Sequence, residues 1–357
     1  MMGSVGKRNP PNAEDDTRPT RRKRTRTIWQ LSPIDTGQAQ CNSDPDMIRT
    51  PRQRATVVTG MAVVSSAATY ARRRAHRARW APPGGHVVQT SSLSARVLGE
   101  TGPPVLLLHG LVASSLYWGG AYDRLAAHRR LVVPDLLGFG RSPRPASGYG
   151  PDGHADAVLA CLDDLGIAEP VIIGAHSLGS VVAMRLAAIH PERVDAIVAF
   201  GPPVYADPGV ARDHVSATSP MGHLFVLPGR TAENACRWVC DHRKLAARLA
   251  VVTHPSLPRE IAADAVQHSW TSYSQTLLQV ILAAQAATWV DQIDCPVHLV
   301  AGDRDPVVDC AYLRRLADAH VKIELSEVAG RHNFPLTDPA ECTAMIAAAQ
   351  SSGSRLA

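Results

Sequence analysis

Between about residues 84 and 350, apolar positions come in short unbroken runs separated by longer stretches with helical spacing. Unbroken runs suit strands buried on both faces, and the stretches between them suit crossover helices. The runs are Pro103–Leu111, Arg130–Pro134, Val171–Ile173, Val194–Phe200, Pro296–Ala301 and Val321–Leu325. Two shorter segments, His86–Thr90 and Ser92–Leu98, read as a hairpin leading into the sheet. Helices are expected over Leu116–Ala127, Pro151–Leu165, from Ser177 to His190, and over Pro339–Ala349. Val158, Leu162 and Leu165 share one face of the second of these, and Gly166 and Pro191 stop the second and third. Strand and helix alternating in this way predict an α/β protein with a mostly parallel central sheet and helices on both faces.

Residues 203–293 break the rhythm. They read as helical, chiefly over Ala232–Val251 and Arg259–Ala287, and carry Met221, Phe225, Trp238, Trp270 and Tyr273. A helical insertion between two strands is expected to cap the carboxyl ends of the sheet and exclude water there. The expected division is therefore a core of 81–202 and 294–357, with 203–293 inserted as a cap.

The whole chain has a net charge of +5, yet residues 1–80 hold 16 Lys or Arg against 6 Asp or Glu, so the remainder is net negative. The basic character belongs to an N-terminal extension. Its first 54 residues include Arg21-Arg22-Lys23-Arg24, lack apolar periodicity and are expected to be disordered. No base-reading signature follows the basic run, so nucleic acid is not an expected partner. Residues 55–71 are uncharged but only weakly apolar, and Arg72, Arg73 and Arg74 follow them, which opposes a membrane span or a secretion signal. Weak contact of the extension with an anionic membrane surface is compatible with its charge. A working start at Met47 or Met61 would leave the fold whole. Seven scattered cysteines without a C-x-x-C pair read as reduced thiols of a cytoplasmic protein. Cys236 and Cys240 find no completing ligands in the sequence, so neither a metal nor a cofactor is expected.

The chemistry-bearing residues stand where strands end. Val171-Ile172-Ile173-Gly174-Ala175-His176 runs into Ser177, and a helix begins at once. Such a tight strand-to-helix turn strains the serine backbone and lifts its side chain to the top of the sheet; Gly179 lets the helix lie close. The pattern is G-x-S-x-G with alanine in the first glycine position. A serine hydroxyl needs a base, and the base needs a carboxylate to orient it. His332 follows the last strand on a glycine loop, and Asp305 lies in Gly302-Asp303-Arg304-Asp305 after the strand before; Asp305 is preferred to Asp303 because it points onward from the turn. His109 also ends a strand, but beside Gly110 a structural hydrogen bond suits it better. Amides of Leu178, at the helix start, and of Leu111, in the small-residue loop after Gly110, are candidates for binding an oxyanion. Gly138-Phe139-Gly140 lacks the third glycine and the following helix of a dinucleotide fingerprint.

Through His109-Gly110, Asp135 with Gly138-Phe139-Gly140-Arg141-Ser142, the turn at Ser177, Gly302-Asp303-Arg304-Asp305 and Gly330-Arg331-His332, residues 84–350 resemble the α/β-hydrolase superfamily. The resemblance implies the α/β-hydrolase fold, with Ser177 as nucleophile, Asp305 as acid, His332 as base and the Leu111 and Leu178 amides as oxyanion hole. Serine in place of aspartate at the turn separates the chain from the family's epoxide hydrolases and haloalkane dehalogenases.

The expected activity is hydrolysis of an uncharged ester with a small apolar acyl group, as in a carboxylesterase or lipase. The same triad would also serve a C–C bond hydrolase, a cofactor-free perhydrolase or an acyltransferase. A ligand-binding protein that keeps the fold without turnover is the non-enzymatic alternative.

Overall fold

A computed structural model describes residues 80–217, 230–254 and 257–349. The expectations for residues 1–79, and for Met221 and Phe225, lie outside the described residues. The strands are β1 (His86–Gln89), β2 (Ser94–Leu98), β3 (Pro104–Leu108), β4 (Arg130–Pro134), β5 (Val171–His176), β6 (Val194–Phe200), β7 (Val297–Gly302) and β8 (Ile323–Val328). They form one sheet in the order β1-β2-β4-β3-β5-β6-β7-β8. The β1–β2 and β2–β4 pairs are antiparallel and all the others parallel.

Both faces of this sheet are covered, which is why its central strands are apolar without alternation. Leu106 and Leu108 of β3 and Ile173 of β5 pack with helices α1 (Pro151–Asp164) and α2 (Leu178–Ile189). Val105, Leu107 and Ile172 point the other way, onto Trp118, Tyr122 and Ile346. Their order along each strand is the two-residue period of a pleated sheet.

Between β6 and β7 the described residues form helices. They are α3 (Pro208–Ala217), α4 (Arg230–Asp241), α5 (Arg243–Thr253), α6 (Arg259–Asp264) and α7 (Trp270–Thr276), followed by one π-helical turn, Leu277–Ile281, and a 3₁₀ segment, Ala286–Gln292. The insertion is tied to the loop after β4 and to the first turn of α1. Arg144 donates to the Gln267 carbonyl at 2.9 Å, and the buried ring of His154 meets Thr276 Oγ1 at 3.1 Å. After β7 come α8 (Cys310–Ala319), the short α9 (Phe334–Thr337) and α10 (Pro339–Ala348).

The strands expected over Ser92–Leu98 and Pro103–Leu111 are shorter, Ser94–Leu98 and Pro104–Leu108. Four further elements differ from the sequence reading, each with a local feature at the break. The helix expected over Leu116–Ala127 is two 3₁₀ segments, Ser115–Trp118 and Gly120–Ala127. Gly119 between them has φ 40, and Gly120 gives its N–H to the Ala81 carbonyl rather than to a helix. The run Ala232–Val251 divides at His242, whose backbone leaves the helical region (φ −118, ψ 38) while its N–H and Nδ1 both meet the Trp238 carbonyl, at 2.9 and 3.0 Å, and its ring stacks on the Trp238 indole. The run Arg259–Ala287 divides before Ser269. There the Arg243 guanidinium takes the carbonyls of Val266 and His268, and Ser269 caps a new helix reciprocally with Ser272. The last strand starts at Ile323 rather than Val321, because its register against β7 runs on to the Gly302–Val328 pair and leaves Val321 fully exposed in the preceding turn.

Among the described residues no helix is long and apolar enough to cross a membrane, and no group of three or more His, Cys, Asp or Glu side chains is placed to hold a metal ion.

Candidate active site

The site is built at the carboxyl ends of β3, β5, β6 and β7 and the loop after β8. Every residue of β5 is buried, and the chain leaves it through Ser177 at φ 51, ψ −117 before α2 begins at the next residue. A non-glycine residue in that region is strained by about 1–3 kcal/mol. The surroundings hold it there. Ser177 N donates to the Phe200 carbonyl at 2.9 Å, and its own carbonyl accepts from Ser180 N at 2.9 Å. Gly179 is required by close approach, since a Cβ there would lie 2.5 Å from the Leu108 carbonyl oxygen.

The three residues expected to act together do meet. His332 Nε2 is 3.0 Å from Ser177 Oγ, and His332 Nδ1 is 2.9 Å from Asp305 Oδ2. A carboxylate only accepts, so the proton of a neutral His332 sits on Nδ1 and the Nε2 lone pair faces the serine hydroxyl. The Asp305 side chain is 1% exposed, and its other oxygen accepts from Val307 N at 2.9 Å. Two side chains from the insertion steady this loop: Tyr205 donates its hydroxyl proton to the Val307 carbonyl, and His214 Nδ1 meets the Pro306 carbonyl at 3.0 Å. Asp303 turns elsewhere, accepting from Gly330 N and Arg304 at the surface.

His109 is engaged in structure. Its Nε2 accepts from Leu136 N at 2.8 Å and its Nδ1 donates to the Gly110 carbonyl at 2.8 Å, while burial holds its pKa below the ordinary value. Asp135 is likewise occupied, accepting from the amides of Ser115 and Arg141 and so closing the glycine turn that follows β4.

Among the described residues neither the Leu111 nor the Leu178 amide is taken by an acceptor. Leu178 is the first residue of α2, where N–H groups have no partner within the helix and the helix dipole favours negative charge. Leu111 precedes Val112, a β-branched residue at φ 53, and Gly110 lies close enough that a Cβ on it would be 3.3 Å from Ser177 Cβ.

Two residues of the site were not picked out from the sequence. His176 is 3% exposed, stacked on Tyr117 with ring centres 4.5 Å apart, and its Nε2 donates to the His332 carbonyl at 2.9 Å. Its Nδ1 has no partner and faces Gly110, where a Cβ would come within 2.9 Å. Burial, reinforced by the neighbouring His332, pushes its pKa well below the usual 6.5, so the ring stays neutral. Gly201, at φ 58, lies under the Asp305–His332 pair, where a Cβ would stand 3.1 Å from both Asp305 Oδ2 and His332 Nδ1. Adjacency to Ser177 would have flagged the first; for the second the only signal was a glycine at the end of an apolar strand.

A model of the alpha/beta hydrolase fold matches residues 103–339. An uncharacterised protein of Mycobacterium bovis is 28% identical over 265 residues, 68% of this chain and 73% of its own. A lipase of Mycobacterium tuberculosis is 40% identical over 123 residues, covering 33% of this chain and 45% of the lipase. Among solved structures an esterase from Rhodococcus superposes with a TM-score of 0.57 over 73% of this chain and 98% of the esterase, at 22% identity.

Proposed function

The chain belongs to the alpha/beta hydrolase fold family, and within it we propose a serine hydrolase that cleaves an uncharged carboxylic ester through an acyl-enzyme. One observation carries this reading: a hydroxyl, an imidazole and a buried carboxylate form a continuous hydrogen-bonded relay, at 3.0 and 2.9 Å, above one edge of the sheet. As Ser177 Oγ bonds to the ester carbonyl carbon, its proton passes to His332 Nε2, and Asp305 stabilises the imidazolium. The carbonyl oxygen, now negative, takes the Leu111 and Leu178 amides. Collapse of the tetrahedral adduct breaks the bond to the alcohol oxygen, which leaves with the proton from His332. Water repeats the sequence on the acyl-enzyme and frees the acid.

The insertion acts as a cap in this scheme, since its Tyr205 and His214 hold the acid loop and its Tyr273, Leu277 and Val280 are buried with the main core. A small apolar acyl group suits those surroundings. The test is turnover of a p-nitrophenyl ester series from acetate to laurate, beside a vinylogous diketone as a C–C substrate. Ester cleavage that disappears in Ser177→Ala supports the proposal; diketone cleavage with inert esters rejects it.

A further inference from the structure

Large apolar side chains exposed to solvent are few among the described residues, and four of the seven stand on consecutive helices of the insertion: Trp238 on α4 and Leu245, Leu249 and Val252 on α5. Residues 245, 249 and 252 follow the i, i+4, i+7 spacing of one helical stripe. On α5 that stripe points outward, with Leu245 and Leu249 nearly half exposed and Val252 74% exposed, while Ala246 faces inward. Exposed Lys244 and Arg248, one turn apart, run along its edge. Arg259 and Glu260 line the same hollow as Arg248 and Val252. Scattered single apolar residues on a surface need no explanation, but three along one helix face do.

We propose that this outward face of α4 and α5 docks on a lipid surface bearing anionic headgroups. The charge pattern selects that partner. Of the five Lys or Arg in residues 230–254, Arg237 pairs with Glu233 and Arg243 turns to main-chain carbonyls, while Lys244 and Arg248 stay exposed beside the stripe, within a region from residue 81 onward that is net negative. Cations beside an apolar stripe let the stripe enter the acyl boundary while the ammonium and guanidinium groups stay at phosphate level. A second copy of the chain fits less well, because in a two-fold arrangement the same patch meets itself and brings Lys244 and Arg248 towards their own like charges. Docking here would bring the insertion, and with it the strand ends below, to an ester-rich surface. The proposal does not depend on the chemistry assigned to Ser177.

Sedimentation of the full chain with vesicles tests it, comparing phosphatidylcholine alone with a mixture containing phosphatidylglycerol. Binding is expected to the anionic vesicles and to weaken at least ten-fold in Leu245→Ser/Leu249→Ser, which keeps every charge and should keep activity on a soluble short ester. Bromine-labelled acyl chains should quench tryptophan fluorescence, and the quenching should fall in Trp238→Phe. Ser177→Ala should bind as the native chain does, so loss of catalysis and loss of docking are read separately. Binding unaffected by the double substitution would assign it to the basic extension and overturn the proposal. So would failure to bind either vesicle, or a dimer that the double substitution turns into a monomer.

Discussion

His176 Nε2 donates to the main-chain carbonyl of His332 at 2.9 Å, so the residue before the candidate nucleophile holds the backbone of the candidate base. Carbonyl oxygens only accept, which fixes the proton of His176 on Nε2, and its depressed basicity keeps the ring neutral beside the candidate base. His176→Phe keeps the stacked ring but removes the donor and leaves a buried carbonyl unpaired, at a cost of about 1–3 kcal/mol. We expect kcat on a short ester to fall roughly ten-fold or more with KM little changed, and His176→Gln, whose amide nitrogen reaches a similar point, to recover part of the loss. Steady-state kinetics of the two variants decide it; equal kcat in His176→Phe and the native chain would remove the positioning role.

The carboxylate choice is testable in the same assay. Asp305→Asn offers His332 an amide where it needs a carboxylate and disturbs the tautomer, with an expected loss in kcat of about four orders of magnitude. Asp303→Asn alters only a surface loop contact and should stay within a few-fold of native. Similar losses from both substitutions would contradict the geometry.

Gly201→Ala tests the packing under the pair. The new methyl would stand 3.1 Å from Asp305 Oδ2 and 3.1 Å from His332 Nδ1, on a backbone at φ 58 that costs an L-residue about 1–2 kcal/mol. Activity should drop well beyond any loss in melting temperature. A variant with native kcat would show that the pair tolerates displacement.

Acid should unfold this protein through its buried histidines. Desolvation pushes His154 down to about 3 and His268 down to about 4, and lowers His176 well below 6.5. The unfolded chain takes up these protons near pH 6.5, whereas the folded chain cannot until the pH is far lower. Stability is therefore complete above about pH 6.5 and falls as the pH drops towards 4, by about 1.4 kcal/mol per pH unit for each histidine. Urea titrations at pH 7.5, 6 and 5 measure the slope; a midpoint that rises on acidification would contradict it.

Much of this was legible in the sequence. Arg130–Pro134 and Val194–Phe200 occupy their expected spans because an apolar run buried on both sides leaves few alternatives, and Ser177 was visible because a strand-to-helix turn has little sequence freedom. What was not legible depends on side chains reaching across the fold. Arg243 ends a helix by taking carbonyls 23 and 25 residues away, and His332 finds Ser177 across 155. Periodicity reports neighbours on the chain, so such breaks and meetings fall outside it.

Labelling with a fluorophosphonate, followed by peptide mapping, tests the central claim most directly, because the reagent bonds only to a serine whose proton a base can take. The reading predicts one adduct per chain, on the peptide holding Ser177, absent in Ser177→Ala and much slower in His332→Ala. Labelling that persists in Ser177→Ala, or a folded native chain that does not react, would contradict it.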